Sequence, residues 1–270
     1  MTQDERQLLS KVPAITLGFW IIKILATTLG ETGGDTVSMT WLGETTPGAA
    51  QSPWNGYLVG TGIFLALLIV LAAWQIASRR FHPFLYWATI IASTTAGTTM
   101  ADYATRSIGI GYAGGSVLLL VCVLLSLALW RLALGSIDVN TIRTRPAESF
   151  YWITITFSQT LGTALGDWTA DTNGLGYLGG AAVFSVLLAV LAVLYFWTRI
   201  SRVFLFWAAF ILTRPLGATV GDFLDKPLAK GGLDLSRPVA SAVLAGAIVL
   251  LILLLPQRAG HHPGDRSGEE

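Results

Sequence analysis

Charge is scarce in this chain. Asp, Glu, Lys and Arg make up 12% of its 270 residues, about half the share of an ordinary soluble domain. At the same time 53% of the residues are hydrophobic and the mean hydropathy is +0.62. That balance excludes a soluble globular domain and reads as an integral membrane protein. The net charge of +1 says nothing about partners, and nothing in the sequence points to nucleic acid. Cysteine is equally sparse: Cys122 stands alone in an apolar run, which excludes an intrachain disulfide. None of the three histidines falls in the helices that carry the polar residues. A thiolate or imidazole site for zinc or copper is therefore not expected there. The sequence has no HExxH, no Ser/Lys pair and no nucleotide-binding loop, so neither an enzyme nor an ATP-driven pump is expected. The start, residues 1–11, is polar and of mixed charge and lacks the basic-then-apolar order of a cleaved signal peptide. The first apolar segment should then stay in the mature protein.

What the chain has in abundance is apolar stretches. A bilayer-spanning helix needs about 20 mostly apolar residues, and eight segments qualify: 13–33, 57–77, 84–104, 111–133, 150–166, 175–198, 204–221 and 239–255. Pro13 and Pro238 stand at expected helix starts, where a missing N–H costs least. Arg79, Arg80, Arg143, Arg145, Arg199, Arg202 and Arg258 fall in loops on one side, with Arg6 and Lys11. By the basic-loop rule that side is cytoplasmic, so both termini are expected inside a bacterial inner membrane.

The chain repeats. Trp20, Trp87, Trp152 and Trp207 are each followed fifteen residues later by Asp35, Asp102, Asp167 and Asp222. Gly30, Gly97, Gly162 and Gly217 stand five residues before those aspartates. Four matching frames make an internal repeat, and each repeat reads as a helical hairpin whose outward helix ends in the Gly/Asp motif. The expected fold is an all-α membrane bundle forming a single domain over 1–270, with repeats near 11–80, 81–146, 147–200 and 201–258. The tail, 259–270, is expected to be disordered. The return helices, such as 118–129 and 183–194, are almost purely Ala, Val and Leu and belong on the lipid side. The outward helices carry hydroxyls at matching places: Thr27-Thr28, Ser93-Thr94-Thr95, Ser158-Gln159-Thr160 and Thr213. They belong inside. The tryptophans read as interfacial anchors.

The strings Lys23-Ile24-Leu25-Ala26-Thr27-Thr28-Leu29-Gly30-Glu31, Gly109-Ile110-Gly111-Tyr112-Ala113-Gly114-Gly115 and Thr213-Arg214-Pro215-Leu216-Gly217 resemble a bacterial family of multi-pass membrane proteins. That family is built of a repeat of unknown function, and its members are called uncharacterised membrane-anchored proteins. The resemblance implies a multi-helix inner-membrane protein and supplies no activity.

An ionisable residue inside a membrane helix costs at least about 2.5 kcal/mol, so each is a functional candidate. The four motif aspartates come first. Glu31 lies four residues before Asp35, one turn away on the same face. Lys23 is eight before Glu31, and Arg214 is eight before Asp222; each shares a face with its acid. The bland reading is that the aspartates cap helix ends or pair locally, Asp102 with Arg106 and Asp222 with Lys226. The sharper reading is a polar cavity holding Glu31, Asp35, Asp102, Asp167 and Asp222, with Thr28, Thr95 and Gln159 as further ligands. Lys23 and Arg214 serve there as counterions or coupling groups. Carboxylate and hydroxyl oxygens suit protons and hard cations, and Glu31, Asp35 and Asp167 are the candidate metal ligands. The first expectation is a proton-coupled secondary transporter of a small divalent cation. A transporter of an anionic solute using Lys23 and Arg214, and a non-transporting scaffold or sensor, are the alternatives. The implied partners are the lipid bilayer and a small cation or proton. No cofactor is expected, and a homo-oligomer is left open.

Overall fold

Helix starts follow local chemistry. In the computed structural model, which describes residues 9–44, 55–172 and 174–261, the Thr16, Thr144 and Ser201 hydroxyls and the Asn55 amide oxygen accept backbone N–H bonds at four helix N-termini. Each satisfies a donor that the helix itself leaves free. Eight α-helices result: α1 (Leu17–Asp35), α2 (Gly56–Ala77), α3 (Pro83–Asp102), α4 (Gly111–Leu134), α5 (Arg145–Asp167), α6 (Gly176–Trp197), α7 (Arg202–Asp225) and α8 (Arg237–Leu254). They match the eight expected segments. Pro238 lies in the first turn of α8 as expected, but Pro13 ends a short strand instead. That strand, β1 (Leu9–Pro13), pairs antiparallel with β2 (Ala259–His261). The expected disordered tail thus begins with three residues of paired backbone. Arg6, Trp54 and His262 lie outside the described residues.

Beyond their aspartates α1, α3 and α5 do not stop. They widen into π-helical turns, Thr36–Trp41, Tyr103–Ser107 and Trp168–Thr172. After the second and third of these, Gly109 and Gly111, and Gly174 and Gly176, take φ between 65° and 81°. Only glycine adopts that backbone freely, and it lets α4 and α6 start in the reverse direction.

The helices form two rings. α1, α3, α5 and α7 touch one another in cyclic order, with α7 closing onto α1. The return helices lie outside, and each packs mainly on the first helix of the following repeat: α2 on α3, α4 on α5, α6 on α7, and α8 back on α1. Among the described residues five helices, α2, α4, α6, α7 and α8, are long and apolar enough to cross a membrane by length and composition. The other three belong, with α7, to the inner ring that carries the hydroxyls and carboxylates. Side chains such as Leu124, Leu129, Val186 and Val190 point outward from α4 and α6, as the oily composition of those helices requires.

The ribbon end of the bundle is aromatic and closed. Trp87, Trp152 and Trp207 are buried in the core, meeting Phe19, Tyr86, Trp130, Tyr151 and Phe206 edge to face or tilted. Each such pair contributes about 0.5–1.5 kcal/mol beyond its buried area. The expectation of interfacial anchors is corrected for these three tryptophans; Trp20 is only partly buried, packed against the same cluster. Two of the indole N–H groups donate to the protein, Trp87 to Gln257 Oε1 at 3.1 Å and Trp207 to the Ile137 carbonyl at 2.9 Å. The hydroxyls of Tyr86 and Tyr151 meet at 2.6 Å. Lys11 on β1 reaches Glu148 Oε1 at 2.7 Å.

Candidate functional site

Every fourth residue along an inner helix returns to nearly the same face, about 6 Å further on. Counting from the motif glycine, the positions seven before, three before, one after and five after form four layers. The first holds Lys23, Ile90, Ile155 and Phe210. The second holds Thr27, Thr94, Gln159 and Arg214. The third holds Glu31, Thr98, Thr163 and Ala218. The fourth is the ring of Asp35, Asp102, Asp167 and Asp222. No side chain of the four layers belongs to a residue more than 2% exposed.

The glycines make these layers possible. A Cβ on Gly30 would strike Thr94, one on Gly97 would strike Gln159, one on Gly162 Arg214, and one on Gly217 Thr27. Each helix therefore rests its bare backbone on the second-layer side chain of the next repeat, once around the ring. Small residues serve the same purpose between membrane helices generally.

Arg214 joins the second layer to the third. Its Nη2 lies 2.9 Å from Glu31 Oε2, 2.6 Å from Thr98 Oγ1 and 2.5 Å from Thr163 Oγ1. One guanidinium nitrogen thus touches the other three inner helices. Lys23 behaves differently. Its ammonium stands 4.1 Å above the centre of the Phe210 ring, and it reaches no carboxylate among the described residues. Gln159 is buried in the second layer, and its amide has no hydrogen-bond partner among the described residues.

The aspartate ring is divided in two by cations from alternate repeats. Arg106, four residues after Asp102, holds Asp102 at 3.1 Å and Asp167 at 2.9 Å. Lys226, four residues after Asp222, holds Asp222 at 2.9 Å and Asp35 at 2.5 Å. Asp225 joins the second half, 3.9 Å from Lys226 and 3.4 Å from Arg237. The expected local pairs therefore exist, and each cation also bridges to a neighbouring helix. Capping does not account for Asp35 and Asp102, which accept no backbone bond at the turns they precede.

The expected metal set of Glu31, Asp35 and Asp167 does not meet as one group. Instead Glu31 gathers with Asp167 and Asp222, and Asp35 gathers with Asp222 and Asp225; in each set the carboxylate oxygens lie within 4.8 Å of one another. Thr28 and Thr95 leave the site altogether. Their hydroxyls donate back to Ile24 and Ile91 carbonyls of their own helices, at 3.0 and 2.8 Å. Thr98 and Thr163 take their place. Aligning the repeats on glycine would have found them, since they occupy the position of Glu31. Asp225 and Arg237 carried only a weaker signal, a charge near a helix end.

The electrostatic balance decides what this end of the bundle can hold. Six carboxylates, Glu31, Asp35, Asp102, Asp167, Asp222 and Asp225, face four cations, Arg106, Arg214, Lys226 and Arg237. Oxygens Asp35 Oδ1, Asp102 Oδ2 and Asp167 Oδ1 are buried without a partner among the described residues. Excess carboxylate in a low-dielectric setting draws protons or a cation, and oxygen ligands of this kind suit hard or borderline divalent ions.

Comparisons with curated proteins and with solved structures return no match. A family model matches residues 18–81, 85–135, 150–201 and 205–258, one stretch for each hairpin and nearly the whole bundle. The chain therefore belongs to the family described as Repeat of Unknown Function (DUF347).

Proposed function

We propose that this protein is a secondary transporter in the bacterial inner membrane that carries a small divalent cation, coupled to protons, through the aspartate end of the inner ring. The observation that carries the reading is the surplus of buried carboxylates over cations at that end. Two charges are left for cargo or protons to neutralise. Glu31 alternates between Arg214 and an incoming charge, so the arginine is a tethered counterion. Asp222 belongs to both carboxylate sets and passes cargo between them. The ribbon end, flanked by Arg79, Arg80, Arg143, Arg145, Arg199 and Arg202, faces the cytoplasm, which puts both termini inside. No enzymatic step is assigned.

The test is flux. Purified protein in proteoliposomes, with an imposed pH gradient of either sign, is offered Mn2+, Mg2+ and Ca2+ in turn. Transport of at least one is expected, with Asp222→Asn and the charge-balanced double variant Glu31→Gln with Arg214→Met reduced to background while still inserting and eluting as folded protein. No movement of any ion by the wild type, or wild-type flux in both variants, would leave a scaffold as the better account.

A further inference from the structure

The two halves of the aspartate ring are built differently. Arg106 is a planar fork that stays charged. It spans Asp102 and Asp167 and donates a third bond to the Tyr57 hydroxyl at 3.3 Å. Such a clamp is fixed. Lys226 is a single ammonium on a flexible stem, and four ligand-type atoms face it. Three are carboxylate oxygens, of Asp35 at 2.5 Å, Asp222 at 2.9 Å and Asp225 at 3.9 Å. The fourth is the thioether sulfur of Met39 at 4.0 Å.

Met39 has no need to be there for the ion pair. It stands four residues after Asp35, where the second and fourth repeats carry Arg106 and Lys226 and the third carries Asp171. The π-helical turn Thr36–Trp41 brings it in, and the residue is 7% exposed. Asp35 Oδ1, on the same carboxylate, is buried without a partner among the described residues. Outside the cage lies a pocket of about 300 Å³ lined by Thr40, Asp225, Asp234 and Arg237. Arg237, whose side chain is 23% exposed, lies 3.4 Å from Asp225 and forms the wall between pocket and cage.

We propose that Asp35, Asp222, Asp225 and Met39 form the outer cargo site, that Lys226 is a built-in substitute holding it between cargoes, and that the cargo is a first-row transition-metal dication of the Mn2+ or Fe2+ class. This rests on the transport reading and names its ion. Three carboxylates supply affinity for any divalent cation. A thioether adds nothing for Mg2+ or Ca2+, which take oxygen ligands, and adds a soft donor for transition metals. Entering metal displaces the ammonium, and the lysine moves aside on its own stem. Cargo arriving through the pocket meets Asp225 first.

Binding at equilibrium tests this apart from flux. Full-length protein in detergent is titrated with Mn2+, free Mn2+ is read by its EPR signal, and Ca2+ is added as competitor. Lys226→Met is expected to tighten Mn2+ binding at least about tenfold, a 1.4 kcal/mol change. Lys226→Arg keeps the charge and the fold and is expected to weaken binding. Met39→Leu is expected to keep Ca2+ binding while lowering the Mn2+-over-Ca2+ preference about tenfold. An unchanged preference in Met39→Leu, or binding no weaker in Lys226→Arg than in the wild type, overturns the site. If liposomes carry divalent ions while these variants behave as wild type, transport stands and this site falls. Selective Mn2+ binding with no flux would do the reverse.

Discussion

Arg214 is where the four repeats meet through a single side chain. Removing one member of a buried ion pair leaves the other charged and unpaired, at a cost of about 3–5 kcal/mol. Arg214→Met is therefore expected to lower stability by that amount, measured as thermal unfolding in detergent. The double change Glu31→Gln with Arg214→Met should recover most of the loss, because no orphan charge remains. A bundle of four independent hairpins would give additive effects instead. The charged members of this site were legible in the sequence, since a charge in an apolar run announces itself. The hydroxyls were not. Thr28 and Thr95 were expected as ligands, and each lies one residue beyond the second-layer Thr27 and Thr94. One residue is about 100° of helix rotation, enough to turn a side chain away from the axis. Lys23 was legible as a buried cation, but its ring-mates Ile90, Ile155 and Phe210 offer no oxygen, so it settles over an aromatic face.

Among the elements, glycines separate packing from mere presence. Gly162 rests on Arg214, while Gly62 on α2 is exposed and an added methyl there meets nothing within 4 Å. Gly162→Ala is expected to cost about 1–3 kcal/mol through overpacking. Gly62→Ala, measured in the same thermal assay, should be neutral or stabilising by up to about 1 kcal/mol, since glycine weakens a helix interior. The positions of the helices and of the repeats were readable because hydropathy and spacing are local properties. The partner of each return helix was not. α2 presents an oily surface equally suited to lipid, to α1 or to α3, and only the assembled ring selects α3. The tryptophans misled for a related reason. A tryptophan at a helix start suits the membrane interface, but four helices placed side by side bring Trp87, Trp152 and Trp207 into the interior instead.

At the scale of the whole molecule the chain is a closed circle written as a line. α8 packs on α1 as α2 packs on α3, and Leu9 lies opposite His261 in the ribbon. A permuted gene that opens the chain between Arg79 and Arg80, both exposed, and joins residue 270 to residue 1 keeps every helix contact. It is expected to elute as the parent does on size exclusion and to melt within a few degrees of it. A permutant that is made but aggregates would argue against the circular packing. The same circle sets an order on synthesis. The hydroxyls of Thr32 on the first helix and Thr36 in the π-helical turn after it meet Ser241 of the last helix at 3.0 and 3.3 Å. Until the ribosome has delivered the last two helices, the opening helix has no cover on that side and its acidic end lacks Arg214, Lys226 and Arg237. The nascent protein must therefore shelter its earliest span, by insertion machinery or by delayed entry into lipid, until its closing span arrives.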